Sequence, residues 1–139
     1  MNTKFLLAVL AATVLGFFGG WALWGLALDG YYSANMTDAA KALERSEEDM
    51  VMWSMIVGQI SWGLLLTWVI DKTASKGAMK GAVTGGILTM LVAASFNFFM
   101  YAMMDMHTGI GIVVVDILIN GVFAAVIGAV VGVILAKGN

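Results

Sequence analysis

The chain has 139 residues, of which 61% are hydrophobic and 12% charged, and its formal net charge at pH 7 is −2. This apolar share is well above the roughly 45–50% of soluble domains, so the composition indicates an integral membrane protein. The chain contains no Cys and only seven Lys and Arg. These counts exclude disulfides, thiol catalysis and thiolate metal sites, and they argue against nucleic acid as a partner.

Four apolar runs are long enough to cross a membrane, since about 20 helical residues span the roughly 30 Å hydrocarbon core. The alternating pattern of a β-barrel strand is absent, so we expect helices. The sequence predicts a single domain, residues 1–139, folded as an all-α integral membrane four-helix bundle. The predicted spans are Phe5 to Leu28, Val51 to Ile70, Gly81 to Met104 and Ile110 to Ala136.

The first span carries a ladder of small residues, and Trp21 and Trp24 lie toward its outer end, where aromatic belts form. Residues four apart share one helix face, so the ladder predicts a groove in which another helix packs closely. Its members are Ala8, Ala12, Gly16 and Gly20.

Residues 29–50 form the only long polar segment, and we expect it to be a loop outside the membrane. Within it, Thr37 or Asp38 can cap a short helix that runs through Arg45. Six of its residues are acidic, which is consistent with favourable charge at helix N-termini. They are Asp29, Asp38, Glu44, Glu47, Glu48 and Asp49.

Basic residues are distributed unevenly between the two sides of the predicted membrane. Lys41 and Arg45 lie on the side of the acidic loop, and five lysines lie on the other side. The positive-inside rule therefore predicts that both termini are cytoplasmic. The five are Lys4, Lys72, Lys76, Lys80 and Lys137.

Three spans carry a polar side chain at a similar depth. Gln59, Asn97 and Asp116 each lie about 10–12 Å from the outer boundary at about 1.5 Å per residue, and Asn120 follows Asp116 by one turn. An ionisable side chain at this depth is costly unless it faces protein or water. The layer is either a site for a proton, cation or small polar ligand, or a hydrogen-bond cluster that fixes helix register. The sequence favours the hydrogen-bond cluster and leaves the ligand site open.

Glycine recurs at four-residue spacing in the third and fourth spans. Small residues on facing helices allow the backbones to approach closely inside a membrane. We therefore predict that the two stripes contribute to helix packing. Their members are Gly81, Gly85, Gly128 and Gly132.

Methionine is concentrated toward the outer side, and His107, the sole histidine, follows Met106. Thioether and imidazole ligands suit Cu(I), and Asp105 with His107 could bind a divalent ion. Methionine is also an ordinary flexible filler at helix ends, and this interpretation is favoured. His107, Met103, Met106 and Asp105 are thus weak metal candidates.

Gly, Trp and small residues recur at characteristic spacings in four stretches: Lys4 to Gly25 with Gly19-Gly20-Trp21, Met52 to Trp68, Gly77 to Gly86, and Asp116 to Gly138. Together these stretches resemble a family of small, uncharacterised four-span bacterial membrane proteins, catalogued as a domain of unknown function. The resemblance covers nearly the whole chain. It implies a multi-pass protein of the bacterial cytoplasmic (inner) membrane, and it implies no catalytic residue or ligand.

No Arg, Lys or His lies inside the predicted spans, so the sequence offers no obvious set of groups for an enzyme, and we expect neither catalysis nor a cofactor. Two functions stay open. The favoured one is a structural or interaction subunit, packing through its Gly and Ala ladders in a homo-oligomer or a larger membrane complex. The alternative is a module that binds or transports an ion, a proton or a small ligand through the polar layer. The lipid bilayer is a partner in both.

Overall fold

A computed structural model describes residues 2–137, and these residues fold into six α-helices without a β-strand. A π-helical segment, Trp21–Ala27, extends the first helix, and a 3-10 turn, Glu47–Asp49, precedes the fourth. The helices are α1 (Thr3–Gly20), α2 (Asp29–Asn35), α3 (Asp38–Leu43), α4 (Met52–Lys72), α5 (Ala78–Met103) and α6 (Ile110–Ala136).

Four of these helices are long and apolar enough to cross a membrane: α1 with its π-helical extension, α4, α5 and α6. The prediction of an all-α protein with four candidate spans is thereby confirmed. The observed bounds lie close to the predicted ones, and the largest difference is that α5 begins at Ala78 and not at Gly81. The residue before α5, Gly77, has a φ of 99°, a left-handed conformation that glycine adopts without strain.

Side chains cap two of the helices at their N-termini. Asn2 accepts a hydrogen bond from the Phe5 amide at 2.8 Å, and Thr37 accepts one from the Ala40 amide at 3.1 Å. Thr37 is therefore the N-cap of the short loop helix, which was one of the two predicted alternatives. The helix ends at Leu43, before the predicted end at Arg45.

Helix α6 contacts α1, α4 and α5, and its contact with α5 is the most extensive in the molecule. By contrast, α4 and α5 follow each other in the chain but contact each other only sparsely. The buried apolar core lies among α1, α4 and α6, with small residues from α1 and larger ones from the other two helices. It comprises Ala8, Ala12, Leu66, Ile70, Ile127, Val131 and Leu135.

Glycines bring α5 and α6 into backbone contact. A Cβ atom on Gly81 would overlap the carbonyl oxygen of Gly128, and a Cβ atom on Gly128 would overlap that of Gly81. One turn along, a Cβ atom on Gly85 would lie 2.9 Å from the Ala124 carbonyl oxygen. The Gly77 amide also donates a hydrogen bond of 2.8 Å to the Gly132 carbonyl. The two helices can approach this closely only because these positions lack side chains.

At one end of the molecule, the loop that contains α2 and α3 is joined to the α5–α6 turn. Met36 and His107 form an isolated antiparallel β-bridge. The Thr37 amide donates to the Met106 carbonyl at 3.1 Å, and the Thr108 amide donates to the Asn35 carbonyl at 2.9 Å. These bonds hold α2 over the C-terminal end of α5 and the N-terminal end of α6. We call this end the loop end.

The opposite end carries the start of α1, the end of α6 and the α4–α5 turn. The Lys4 ammonium group donates to the Lys137 carbonyl, and Gly77 pairs with Gly132 as described above. The five lysines grouped by sequence therefore share this end, while Lys41 and Arg45 lie at the loop end. We call it the lysine end.

Candidate functional site

The first part of the candidate site is the segment after α1, where the helix changes from α-type to π-type. From Trp21 to Ala27 the helix is π-type, and the Leu28 amide donates to the carbonyl of Leu23, five residues earlier, at 2.7 Å. Short π segments are rare and are frequent at functional sites. This segment places Trp24 against Phe123 of α6, with ring centroids 5.6 Å apart in an edge-to-face arrangement.

Asp116 is the acceptor on which three segments of the chain converge. The hydroxyl group of Tyr32, on α2, donates to Oδ1 of Asp116, and the indole of Trp24 donates to the Tyr32 hydroxyl oxygen at 3.0 Å. On α5, Asn97 donates to the other carboxylate oxygen, Oδ2, at 2.8 Å. Both oxygens of the Asp116 carboxylate thus accept a hydrogen bond from the protein.

The structure brings together only part of the predicted polar layer. Asn97 bonds the Asp116 side chain directly, whereas Asn120 donates to the backbone carbonyl of Asp116 at 2.8 Å. The Gln59 side chain lies on α1 at Gly16, where a Cβ atom would overlap its amide nitrogen. That nitrogen, Nε2, is buried and has no hydrogen-bond partner among the described residues. The donor is packed against the α1 backbone at Gly16.

Between the four long helices lies a cavity of about 410 Å³, a size within the roughly 300–1,000 Å³ usual for small-molecule sites. All four residues of the predicted layer line it. So do aromatic rings, one from each spanning segment, and small residues of α1 and α6. The lining residues are Gly16, Gly20, Trp24, Gln59, Trp62, Thr89, Val92, Ala93, Phe96, Asn97, Asp116, Asn120, Phe123 and Ala124.

The charge of the cavity depends on Asp116, since no Arg, Lys or His is among its lining residues. Tyr32, at the loop end of the molecule, donates to Asp116 and is half-buried. Burial first, and then the hydrogen bond to Asp116, raises the pKa of the Tyr32 phenol above its ordinary value of 10.0. The phenol therefore remains a hydrogen-bond donor over the physiological range. A carboxyl group with no basic partner in the wall suits a positively charged ligand or a proton.

Sequence reasoning missed Tyr32 and assigned Trp24 only to an aromatic belt. Tyr32 lies in a polar segment, and no local pattern distinguishes a tyrosine that folds back from one that faces water. The π segment also has no spacing signature. The only usable signal was Asp116 itself, because a buried acid requires donors from somewhere.

The weak metal candidates lie at the loop end, outside the cavity lining. Met103 and Asp105 are exposed, while Met106 and His107 are half-buried beside the β-bridge. Nδ1 of His107 is buried without a partner in the described part of the chain. Over residues 2–137, no three side chains of His, Cys, Asp or Glu cluster as metal ligands would.

The predicted packing glycines fall into two groups. Gly81, Gly85, Gly128 and Gly132 all lie in the α5–α6 contact. On α1, Gly16 is buried against Gln59. At Gly20, by contrast, a Cβ atom would have only the ring of Trp24, from the same chain segment, within 4 Å. Gly20 borders the cavity and does not contact another helix closely.

The fold is that of an all-α protein in which four helices, long and apolar enough to cross a membrane, surround a mostly apolar cavity that contains one acid. No family model, curated protein or solved structure matches it. The resemblance to a bacterial four-span family, predicted from the sequence, is therefore not supported by these comparisons, and functional inference rests on the cavity.

Proposed function

We propose that this protein binds a small cationic ligand inside the membrane, with Asp116 as the counter-charge. The observation that carries the proposal is the position of Asp116 in the wall of a 410 Å³ cavity between the four long helices. An acid within a membrane span is expensive to maintain, and such groups commonly mark ion or substrate sites. The alternative from the sequence, an ion or small-ligand module, is thus the one we favour.

The hydrogen bonds around Asp116 support this proposal. Tyr32 and Asn97 each donate to one side-chain oxygen of Asp116, which fixes the orientation of the group in the cavity wall. Each oxygen has a second lone pair, so the carboxylate can still accept an ammonium group or a metal ion. A ligand that brings one positive charge would neutralise the site.

The glycine ladders lend less support to a structural or interaction subunit. The glycines of α5 and α6 face each other within one chain, and Gly16 faces Gln59. These surfaces are occupied and are not free to dock onto a partner. We retain the bilayer as the surrounding solvent, because the outward faces of the long helices expose large apolar side chains such as Leu10, Leu91 and Val122.

We further propose that the four long helices form a bundle in a bacterial inner membrane, with the lysine end in the cytoplasm. The uneven distribution of basic residues supports this orientation. The Asp116 end of the cavity then lies nearer the outer surface, since Tyr32, which donates to Asp116, belongs to the loop end.

The test is a melting series of the purified protein in detergent with Na⁺, K⁺, methylammonium or tetraethylammonium chloride at constant ionic strength. A cation that binds only the folded state should stabilise that state by about 2.7 kcal/mol when its concentration is 100 times its Kd. Asp116→Asn should abolish this stabilisation. Asp38→Asn, which removes an exposed acid outside the cavity lining, should retain it. Equal responses of wild type and Asp116→Asn to every cation would contradict the proposal.

A further inference from the structure

The cavity wall has an unusual composition for a metal-ion site. One aromatic ring comes from each spanning segment: Trp24, Trp62, Phe96 and Phe123. A metal ion such as Ca²⁺ takes about six to eight oxygen ligands, usually from several carboxylates, whereas Asp116 is the one carboxylate among the lining residues. Aromatic faces instead attract organic cations, which shed their weakly bound water more readily than Na⁺ does.

The cavity also extends to the surface that faces lipid. Val92 and Phe96 belong to its lining, yet they are 47% and 65% exposed. Both lie on α5, and α5 makes few contacts with α4. A ligand with an apolar part could therefore enter from the bilayer between α4 and α5 and place its charge at Asp116.

From these two observations we infer that the ligand is an amphiphilic organic cation, an alkyl- or arylammonium compound held by Asp116 and the aromatic wall. This inference rests on the proposed function, because both use Asp116 as the counter-charge. It adds the class of ligand and the route of entry. The ammonium group occupies the end of the cavity near Asp116 and Asn97, and the apolar substituent lies against Trp62 and Phe123.

The experiment measures the affinity of benzyltrimethylammonium for the purified protein in lipid nanodiscs, by tryptophan fluorescence and by isothermal titration calorimetry. Neopentylbenzene, its uncharged carbon isostere, serves as the control ligand. We expect Asp116→Asn to abolish saturable binding of the cation. Trp62→Leu and Phe123→Leu should each weaken it about threefold to thirtyfold, the range that one desolvated cation–π contact provides.

Trp68→Leu is the matched control, because Trp68 lies on the same helix as Trp62, is 53% exposed and does not line the cavity. The Trp68→Leu variant should bind the cation with the same affinity as wild type. Size-exclusion elution and melting establish that each variant is folded. Since Phe123 contacts Trp24, Trp62→Leu provides the decisive result if Phe123→Leu does not fold.

Four other outcomes are distinguishable. Asp116-dependent binding of Na⁺ or K⁺ without binding of benzyltrimethylammonium would overturn this inference and leave the proposed function intact. Equal affinity for the cation and neopentylbenzene, or equal affinities of Trp62→Leu and Trp68→Leu, would also overturn it. No Asp116-dependent binding of any cation would overturn both.

Discussion

At the scale of single residues, Asp116 joins parts of the chain that are far apart in sequence. Its partners Asn97 and Tyr32 are 19 and 84 positions away, and Asn97 also donates to the Ala93 carbonyl of its own helix at 2.9 Å. The carboxyl group therefore has two possible roles, as a ligand for a cation and as a structural acceptor. Substitutions that differ in shape and charge separate them.

We predict that Asp116→Leu destabilises the fold by about 1–3 kcal/mol, because the donors of Tyr32 and Asn97 lose their acceptor in a half-buried site. Asp116→Asn keeps an acceptor oxygen and should cost less. Asn120→Ala is the control, since Asn120 bonds only the backbone carbonyl of Asp116. The measurement is unfolding in mixed micelles of increasing SDS content. If Asp116→Leu were as stable as wild type, the hydrogen bonds described here would contribute nothing to the fold.

A second prediction concerns the Tyr32 phenol, which lies outside the spanning helices. Its pKa is higher in the folded protein than the ordinary 10.0, chiefly through burial and then through Asp116. The folded state therefore holds this proton more tightly than the unfolded state does. The resulting stability is fully present below pH 10 and is lost as the pH rises toward the folded pKa.

The measurement is a spectrophotometric titration at about 295 nm, in which the difference between wild type and Tyr32→Phe isolates the Tyr32 phenol. Its midpoint should lie above 10. In parallel, the melting temperature of wild type should fall more steeply above pH 10 than that of Tyr32→Phe. A midpoint at or below 10 would show that the phenol is neither buried nor bonded to Asp116 in solution.

At the scale of secondary-structure elements, α5 and α6 form a pair of helices in direct backbone contact, and the cavity lies beside it. The rigidity of this pair matters for the site, because Asn97 and Asp116 lie on its two members. Two glycines that differ only in their surroundings allow the contact to be tested. Gly128 faces the backbone of Gly81, whereas nothing lies within 4 Å of a Cβ atom added to Gly58 on α4.

We predict opposite effects of the same substitution at these two positions. Gly128→Ala should destabilise by about 1–3 kcal/mol, since its Cβ would overlap the Gly81 carbonyl and force the helices apart. Gly58→Ala should stabilise by about 0.4–1 kcal/mol, since it reduces the conformational freedom of the unfolded chain at no steric cost. Thermal unfolding in detergent measures both. Equal tolerance of alanine would mean that α5 and α6 are not in close contact.

At the scale of the whole molecule, the two ends differ in both charge and connection. The loop end is tied by the Met36–His107 bridge, and the lysine end by backbone contacts between Gly77 and Gly132. The fold brings the five lysines to one end from the start of α1, the region around the α4–α5 turn and the end of α6. The orientation that the positive-inside rule predicts therefore depends on the whole fold. It also decides on which side of the membrane Tyr32 lies.

Single cysteines provide the test of orientation, since the chain has none of its own. Ser33→Cys lies at the loop end and Ala78→Cys at the lysine end, and both positions are exposed. In intact cells, a membrane-impermeant maleimide should label Ser33→Cys and leave Ala78→Cys unlabelled until the cells are permeabilised. The reverse pattern would place the lysine end outside and the cavity nearer the cytoplasm.

The sequence by itself determined the features that depend on local composition and spacing. Apolar runs of sufficient length specify the spans, because unpaired backbone groups are intolerable in hydrocarbon and a helix satisfies them locally. Asp116 was recognisable as the key polar residue because an acid stands out in an apolar run. Asn97 was predicted as its neighbour from equal depth, and the structure bonds the two directly.

Only the tertiary structure decided which groups surround that acid. The bonds that hold α2 over Asp116 are largely backbone bonds of Asn35, Thr37, Met106 and Thr108, which almost any residue could make, so the sequence carries no mark of them. The π-helical segment that contains Trp24 likewise has no recognisable pattern in the sequence. Gln59 had the same predicted depth as Asn97, yet it lies on Gly16 without a bond to the acid. The depth of a residue follows from its position along one helix. Contact between two residues also depends on how their two helices are rotated and how far apart they lie.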